Sequence, residues 1–130
     1  MKQNAGLWID HKEAVVVFIG TGADVNEQTK RMESGMEKHV RYSGNSSERG
    51  SAEDARDRQY ETHLNQYYDQ VITQLRDAES ILVFGPGEAK GEFEKRLVHK
   101  GMGERVAGVE TTDKMTDGQI AAKVREYFKK

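Results

Sequence analysis

Two apolar runs near the start of the chain predict a β-hairpin. The first run is residues 6–9 and the second is residues 14–19, and four polar residues, 10–13, separate them. A short polar break between runs rich in β-branched and aromatic residues is typical of antiparallel strands joined by a tight turn. Because residues 14–19 are apolar at every position, we expect this strand to be covered on both faces of its sheet.

The chain turns polar over residues 20–33, and a third strand is predicted at residues 35–42. There apolar and charged residues alternate, although Lys38 interrupts the apolar side. Residues 43–54 contain no large apolar side chain and are rich in Ser, Gly and acidic residues. This composition predicts a flexible surface loop.

The longest helix is predicted for residues 55–78, which contain neither glycine nor proline. Apolar residues recur there at three- and four-residue spacing, which places them on one face of a helix. These residues are Tyr60, Leu64, Tyr67, Tyr68, Val71, Ile72 and Leu75. The stripe indicates that the helix packs against a sheet.

Two further strands and two further helices are predicted in the second half. A buried strand at residues 80–84 ends at Gly85-Pro86-Gly87, and a helix at residues 88–100 ends before Gly101. Residues 106–109 form the last predicted strand. The final helix opens at Thr116, because Gln119 completes the spacing of a capping box.

The predicted order of elements is β-β-β-α-β-α-β-α. A hairpin followed by strand–helix units implies an α/β fold with a mixed five-stranded sheet and about three helices packed on it. A length of 130 residues is typical of one domain, so we expect residues 1–130 to form a single unit.

Composition narrows the classes of function. The net charge is -2, with 20 basic and 22 acidic residues, so contact with RNA would need a local basic patch. The absence of cysteine excludes disulfides, thiolate catalysis and cysteine-based zinc sites. Residues 1–6 have no apolar signal core and the longest apolar run is too short for a bilayer, so we expect a cytoplasmic protein without membrane contact.

One stretch is similar to a known family. Arg49-Gly50-Ser51-Ala52 is followed by Arg56 and by a helix that contains His63 and Tyr67. This stretch resembles the middle domain of eukaryotic- and archaeal-type peptide-chain release factors, in which Gly-Gly-Gln-Ser-Ala precedes an Arg-rich helix start with His and Tyr at similar spacing.

Two more stretches extend the resemblance over nearly the whole chain. Residues 81–87 with Lys90 and Phe93 are similar to the strand–Gly-Pro-Gly–helix turn of archaeal release factors and Pelota, and residues 111–113 lead similarly into the last helix. The chain looks most like stand-alone bacterial and archaeal release-factor-like proteins, including the host-attachment and translational-machinery families. This resemblance implies an RNase-H-like, translational-machinery-component fold.

The chain departs from release factors at the tripeptide itself. It has Glu48-Arg49-Gly50 before Ser51-Ala52, so Gly50 stands where the family has glutamine. Two glycines give the family's loop its backbone freedom and the glutamine supplies a polar group, so the change puts peptidyl-tRNA hydrolysis in doubt. Pelota-type proteins also lack the tripeptide and act in ribosome rescue.

The resemblance therefore implies a non-catalytic, translation-associated protein that binds the ribosome, RNA or a protein partner. The candidate binding residues surround the predicted loop and the start of the following helix: Arg41, Arg49, Gly50, Arg56 and Arg58. Arginine is suited to phosphate contacts. Acidic residues are interleaved with these arginines, so a self-neutralised, solvated segment is the alternative interpretation.

Other sites and functions stay open from the residues alone. Gly85 and Gly87 precede a helix N-terminus that, with Lys90, could hold an anion, but a tight strand-to-helix turn explains the same glycines. Asp10 at the end of the first strand could bind a metal ion in a nuclease or phosphate-substrate hydrolase, but aspartate is also a common turn residue. A homo-oligomeric interaction module is the remaining alternative. We expect no cofactor.

Overall fold

The computed structural model describes residues 3–20, 27–35 and 50–128, with side chains of the last range described from Gln59 onward. Within these residues the elements follow the predicted order and confirm the mixed five-stranded α/β fold with three helices. They are β1 (Gln3–Ile9), β2 (Glu13–Gly20), β3 (Glu27–Glu33), α1 (Gly50–Gln74), β4 (Ala78–Gly85), α2 (Ala89–His99), β5 (Val106–Thr111) and α3 (Asp117–Phe128). A short 3-10 helix, Gly103–Arg105, precedes β5.

The strands form one sheet in the order β3-β2-β1-β4-β5. The strands β1 and β2 form the predicted antiparallel hairpin, and β3 pairs antiparallel to β2. The strands β4 and β5 run parallel to β1, so the carboxyl ends of β1, β4 and β5 lie at the same end of the sheet. This arrangement brings the β1–β2 turn next to the turn that follows β4.

Two apolar layers cover the two faces of the sheet. On one face α1 and α2 pack on alternate residues of the central strands, and the stripe predicted for α1 is buried in this layer, including Tyr67, Val71 and Leu75. On the other face α3 packs through Ile120, Ala121 and Val124. Because both faces of the central strands are covered, β2 is apolar at every inner position, as its sequence indicates.

A glycine in β1 allows α3 to approach the sheet closely. A Cβ atom on Gly6 would lie 2.5 Å from Cγ2 of Val124, which is shorter than any normal contact. The missing side chain therefore sets how deeply Val124 is seated against β1, and it fixes the distance between α3 and the sheet.

The third strand is not where the sequence pattern predicts it. β3 is Glu27–Glu33, within the polar stretch, and six of its seven residues are exposed. An edge strand that is held by backbone hydrogen bonds to β2 needs no apolar alternation, which explains why the pattern misses it. The predicted strand at residues 35–42 lies, apart from Gly35, outside the described residues.

The start of α1 also corrects the sequence prediction. The helix begins at Gly50, so residues 50–54 are helical rather than part of a flexible loop. Residues 43–49 of the predicted loop lie outside the described residues. Among the described residues, no helix is long and apolar enough to cross a membrane.

Candidate functional site: the cleft at the carboxyl ends of β1 and β4

The β1–β2 turn is closed by the side chain of Asp10. Its Oδ1 atom accepts hydrogen bonds from the backbone N–H groups of Lys12 and Glu13, both at 2.8 Å. The N–H of Asp10 donates to the carbonyl oxygen of Glu13 at 3.0 Å. This is an Asx turn, in which an aspartate oxygen replaces a backbone acceptor. The geometry thus gives Asp10 a structural role in the hairpin.

The turn after β4 lies directly beside the end of β1. Gly85 has φ 151°, and a Cβ atom there would collide with the carbonyl oxygen of Ile9. The carbonyl oxygen of Gly85 accepts a hydrogen bond from the N–H of Thr112 at 3.0 Å, which ties the ends of β4 and β5 together. Only glycine satisfies both the backbone angle and the close approach.

The N-terminus of α2 begins at this turn. Gly87 has φ 65°, and Glu88 occupies the N-cap position without a side-chain cap. The ammonium group of Lys90 donates to the carbonyl oxygen of Gly87 within the same turn. The predicted anion site on Gly85, Gly87 and Lys90 stays a prediction, because Lys90 is held by its own turn and Glu88 adds a negative charge there.

Together the two turns enclose a cleft of about 820 Å³. Its walls are the β1–β2 turn, the residues that follow β3, the turn between β4 and α2, and Lys114. Carboxylates outnumber ammonium groups among the lining residues, so the cleft is polar without being basic. The carboxyl end of the parallel strands is where α/β sheets commonly bind ligands.

A carboxylate from α2 joins three elements beside the cleft. Oε1 of Glu92 accepts a hydrogen bond from the hydroxyl of Tyr68 at 2.7 Å and lies 3.0 Å from Nε2 of His11. The ring of Tyr60 contacts His11 edge-on, with centroids 6.4 Å apart. Glu92 therefore connects the β1–β2 turn to both α1 and α2.

The buried residue Ser34 fixes the path of the chain as it leaves β3. Its hydroxyl donates to the carbonyl oxygen of His11 at 2.6 Å, and its N–H donates to the carbonyl oxygen of Lys12 at 2.8 Å. The imidazole of His63 contacts the carbonyl oxygen of Ser34. His63 thus links α1 to the rim of the cleft.

Burial changes the acidity of two tyrosines below the cleft. Burial, together with nearby Asp10 and Glu13, raises the pKa of Tyr67 far above its ordinary value. Burial and the hydrogen bond to Glu92 do the same to the pKa of Tyr68. The hydroxyl of Tyr67 donates to the carbonyl oxygen of Asp10 at 3.0 Å. Both phenols are therefore neutral donors that hold α1 against the turn and α2.

The helices α1 and α2 are also joined by a charged pair. Nε and Nη2 of Arg96 donate to the two carboxylate oxygens of Asp69 at 2.7 and 2.9 Å. The ammonium group of Lys100 lies 3.6 Å from the same carboxylate. The hydrogen bond from Arg96, more than the surrounding charges, lowers the pKa of Asp69.

The structure describes only some of the residues predicted as sites. Arg41 and Arg49 lie outside the described residues, whereas Gly50, Arg56 and Arg58 lie in the first turns of α1 with only their backbone described. Asp10 and Gly87 both line the cleft. Among the described residues, no three His, Asp or Glu side chains are grouped so that they could hold a metal ion.

The residues that sequence reasoning missed are His11, Ser34 and Glu92. Each makes its contacts with residues distant in the chain, such as the pair of His11 and Glu92, so no local spacing reveals them. The sequence signals that point to this part of the molecule are the polar break between two apolar runs and the Gly85-Pro86-Gly87 turn.

Solved structures with a similar fold were found in archaeal proteins. The Pelota protein of Thermoplasma acidophilum matches 96% of this chain with a TM-score of 0.61 and 20% sequence identity. Pelota of Archaeoglobus fulgidus matches 97% of the chain with a TM-score of 0.57 and 15% identity. This chain has the fold of a Pelota domain. The resemblance stated from the sequence is thereby confirmed at the level of the fold.

The matched region is a part of each Pelota protein. This chain spans 32% of the length of the Thermoplasma protein and 31% of the Archaeoglobus protein. The archaeal translation termination factor aRF1 also matches, over 98% of this chain and 40% of its own length, with 15% identity and a TM-score of 0.49. No protein-family model and no curated protein matches the sequence.

Proposed function

We propose that this chain is a translation-associated domain that binds the ribosome, RNA or a protein partner, and that it does not release peptides. The observation that carries the proposal is the Pelota-like fold, which extends over nearly the whole chain. Fold alone does not determine activity, so the proposal draws further support from the residues of the release-factor-like segment.

The segment that leads into α1 and includes its first residue supports a role other than peptide release. It has Glu48-Arg49-Gly50 where the release factors that it resembles have Gly-Gly-Gln. Two charged side chains replace two glycines, which removes backbone freedom, and Gly50 has no side chain with which to orient water. The chain therefore keeps the surroundings of the tripeptide without its chemistry.

The described part of α1, which continues this segment, is packed firmly against the rest of the fold. Leu64, Tyr67 and Val71 are buried against the sheet, and Tyr67 and Tyr68 are hydrogen-bonded to the β1–β2 turn and to α2. The first turns, which carry Arg56 and Arg58, continue the same helix. Residues carried on an anchored element lose less conformational freedom on binding than residues on a free loop.

The acidic residues around these arginines make strong non-specific binding to nucleic acid unfavourable. Acidic residues are interleaved with them in the sequence, and the chain has no overall basic excess. Binding should therefore depend on a few defined phosphate contacts. Three contacts from Arg49, Arg56 and Arg58 correspond to a slope of roughly -2 to -3 for log affinity against log salt concentration.

Titration of the fluorescently labelled chain with purified ribosomes at several salt concentrations tests this surface. A triple variant, Arg49→Ala, Arg56→Ala and Arg58→Ala, should bind more weakly and should lose about one unit of salt slope for each phosphate contact. The matched control removes three exposed cations outside the cleft, Arg76, Lys95 and Arg105, none of which makes an ion pair with the described residues.

The control variant should bind as the wild type does. Equal losses in the two triple variants would show that only total charge matters, and the proposed surface would then be wrong. Circular dichroism of each variant checks that the fold is retained before its affinity is compared.

The absence of release activity has its own test. The wild-type chain, added to reconstituted ribosomes that carry peptidyl-tRNA, should free no more peptide than buffer does, because Gly50 cannot replace the glutamine. Peptide release above this background would overturn the second part of the proposal and leave ribosome binding intact.

A further inference from the structure

The outer edge of the sheet is formed by β3, and its backbone orientation follows from two hydrogen bonds. The N–H of Ser34 donates to the carbonyl oxygen of Lys12, and the N–H of Asp10 donates to the carbonyl oxygen of Glu13. Backbone groups point alternately to the two sides of an antiparallel strand. With the observed register, the even residues of β3 bond to β2, and Glu27, Thr29, Arg31 and Glu33 direct their N–H and C=O groups outward.

This edge is regular and accessible. The pairing of β3 with β2 is unbroken from Glu27 to Glu33, without a bulge, and six of the seven residues are exposed. No described residue pairs with the outer side of β3. By contrast, the opposite edge strand, β5, pairs with β4 in an irregular register. The hydroxyl of Tyr127 also donates a hydrogen bond to the carbonyl oxygen of Ala107 in β5.

The lysine in the middle of β3 does not block this edge. The ammonium group of Lys30 lies 2.9 Å from Oε1 of Gln74 in α1 and 5.9 Å from the ring centre of Phe18 in β2. It is thus drawn inward over the sheet. Lysines that protect an edge strand present their charge to an approaching strand, and this one does not.

The charge pattern of β3 is complementary to itself in one register. If two copies pair antiparallel about Thr29, Glu27 lies opposite Arg31 of the second copy, and Gln28 lies opposite Lys30. Because the arrangement is symmetric, the contact between Glu27 and Arg31 occurs twice. The pairs Thr29–Thr29 and Glu27–Arg31 also bring the outward backbone groups opposite one another.

Two of the neighbouring registers are disfavoured by like charges. Pairing about Lys30 places Glu27 opposite Glu33 twice, whereas pairing about Arg31 places two arginines opposite each other. Like charges directly across a strand pair are destabilising. Pairing about Gln28 opposes no like charges but loses the contact between Glu27 and Arg31, so the charges favour the register about Thr29.

We propose that this edge is a self-association site, in which β3 pairs with β3 of a second copy of this chain about Thr29. The two sheets then continue into one sheet across a two-fold axis. Glu27 already pairs with Arg125, and Arg31 already pairs with both Glu13 and Asp117. All of these side chains are partly exposed, so Glu27 and Arg31 can share their charges with the second copy. This inference does not depend on the proposed function.

Charge-reversed variants test the register. In the proposed pairing, Arg31→Glu sets two carboxylates opposite each other and Glu27→Arg sets two guanidinium groups opposite each other, so each variant alone should remain monomeric. When the two variants are mixed, both contacts between the copies join a carboxylate to a guanidinium group, so a heterodimer should form. Light scattering and sedimentation velocity at increasing concentration measure the mass in all three samples and in the wild type, which should form dimers.

A backbone variant tests the same contact without a change of charge. Thr29→Pro removes an outward N–H group and leaves the hydrogen bonds to β2 intact, so it should abolish dimers while the fold is retained. Thr29→Val keeps the N–H and should dimerise as the wild type does. A wild type that stays monomeric at every concentration, or variants that dimerise equally well alone and mixed, would overturn the proposal.

Discussion

At the scale of single residues, the cleft depends on a glycine whose importance comes from a distant strand. The sequence predicts a turn at Gly85-Pro86-Gly87 from its composition. The structure adds the reason for Gly85, because a Cβ atom there would lie 2.3 Å from the carbonyl oxygen of Ile9. That contact joins two strands that are neighbours only in the sheet, so local pattern cannot predict it.

Three glycine-to-alanine variants separate the effects of space and of backbone angle. Gly85→Ala should lower the free energy of unfolding by more than about 2 kcal/mol, because it combines a clash with a positive φ. Gly87→Ala has open space and only the positive φ, so it should cost about 1 kcal/mol. Urea denaturation at neutral pH measures both values.

The third variant, Gly91→Ala, provides the control. Gly91 lies in α2, and a Cβ atom added there would have nothing within 4 Å, so alanine should stabilise the helix by about 0.5 to 1 kcal/mol. Equal effects at Gly85 and Gly87 would contradict the close contact between β4 and β1.

The buried tyrosines predict how stability responds to alkaline pH. Burial raises the pKa values of Tyr67 and Tyr68 in the folded chain above the value of about 10 in the unfolded chain. The folded state holds these protons more tightly, so their contribution to stability is complete below pH of about 10 and is lost as the pH rises beyond it. Phenolate absorbance of these residues should appear only together with loss of the circular dichroism signal.

A double variant tests whether Tyr67 and Tyr68 cause this loss of stability at alkaline pH. In the double variant Tyr67→Phe and Tyr68→Phe, the free energy of unfolding should fall less steeply as the pH rises above about 10. At neutral pH the double variant should be less stable than the wild type, because Asp10 and Glu92 each lose a hydrogen bond. Ionisation of Tyr67 or Tyr68 in a fully folded wild type would contradict the burial described.

At the scale of elements, strands and helices with strong apolar patterns are predicted well, and exposed elements are not. The hairpin, β4, β5 and all three helices are found from the sequence to within a few residues at their ends. The capping box is confirmed, since the N–H of Gln119 donates to Oγ1 of Thr116 at 3.1 Å and Oε1 of Gln119 accepts from the N–H of Thr116 at 2.9 Å. The predicted position of β3 is wrong because Glu27–Glu33 owes its conformation to β2 rather than to its own side chains.

Of the candidate site, the sequence predicts only the two turns that line the cleft. The polar break at residues 10–13 and the Gly-Pro-Gly turn are visible in the sequence. The contacts that join them to α1 and α2, through Ser34, His63 and Glu92, depend on the topology of the sheet. Such long-range polar contacts have no periodic signal, so they become apparent only when the fold is known.

The ion pair between Asp69 and Arg96 predicts that stability falls at acid pH, whereas the buried tyrosines predict a fall at alkaline pH. Because Arg96 lowers the pKa of Asp69, the stability from this pair is present above the unfolded pKa of about 3.9 and is lost as the pH falls through the lower folded value. Asp69→Asn should cost at most about 1 kcal/mol at neutral pH, because the pair is partly exposed, and nothing at strongly acid pH.

Urea denaturation at both pH values measures this difference. Asp77→Asn is the control, since Asp77 is exposed and has no ion pair with the described residues. If Asp69→Asn lost the same stability at both pH values, the charge on Asp69 would not be the cause.

At the scale of the whole molecule, the fold joins an anchored helix α1 to a polar cleft and leaves one regular sheet edge without a partner among the described residues. The sequence predicts the fold class because its apolar positions determine the two layers of the core. The sequence alone does not lead to the proposed self-association, because the complementary charges of β3 suggest a pairing only once β3 is known to be an edge strand. The proposed ribosome binding and the proposed self-association involve different parts of the molecule, so they can be tested separately.

The most direct test of the central claim is sedimentation of the wild-type chain with ribosomes. Vacant and stalled ribosomes are each pelleted with the purified chain at low salt, and the pellet and the supernatant are compared. We predict that the chain is recovered in the pellet with ribosomes and that added salt returns it to the supernatant. A chain that stays in the supernatant with both kinds of ribosome at low salt would contradict the account.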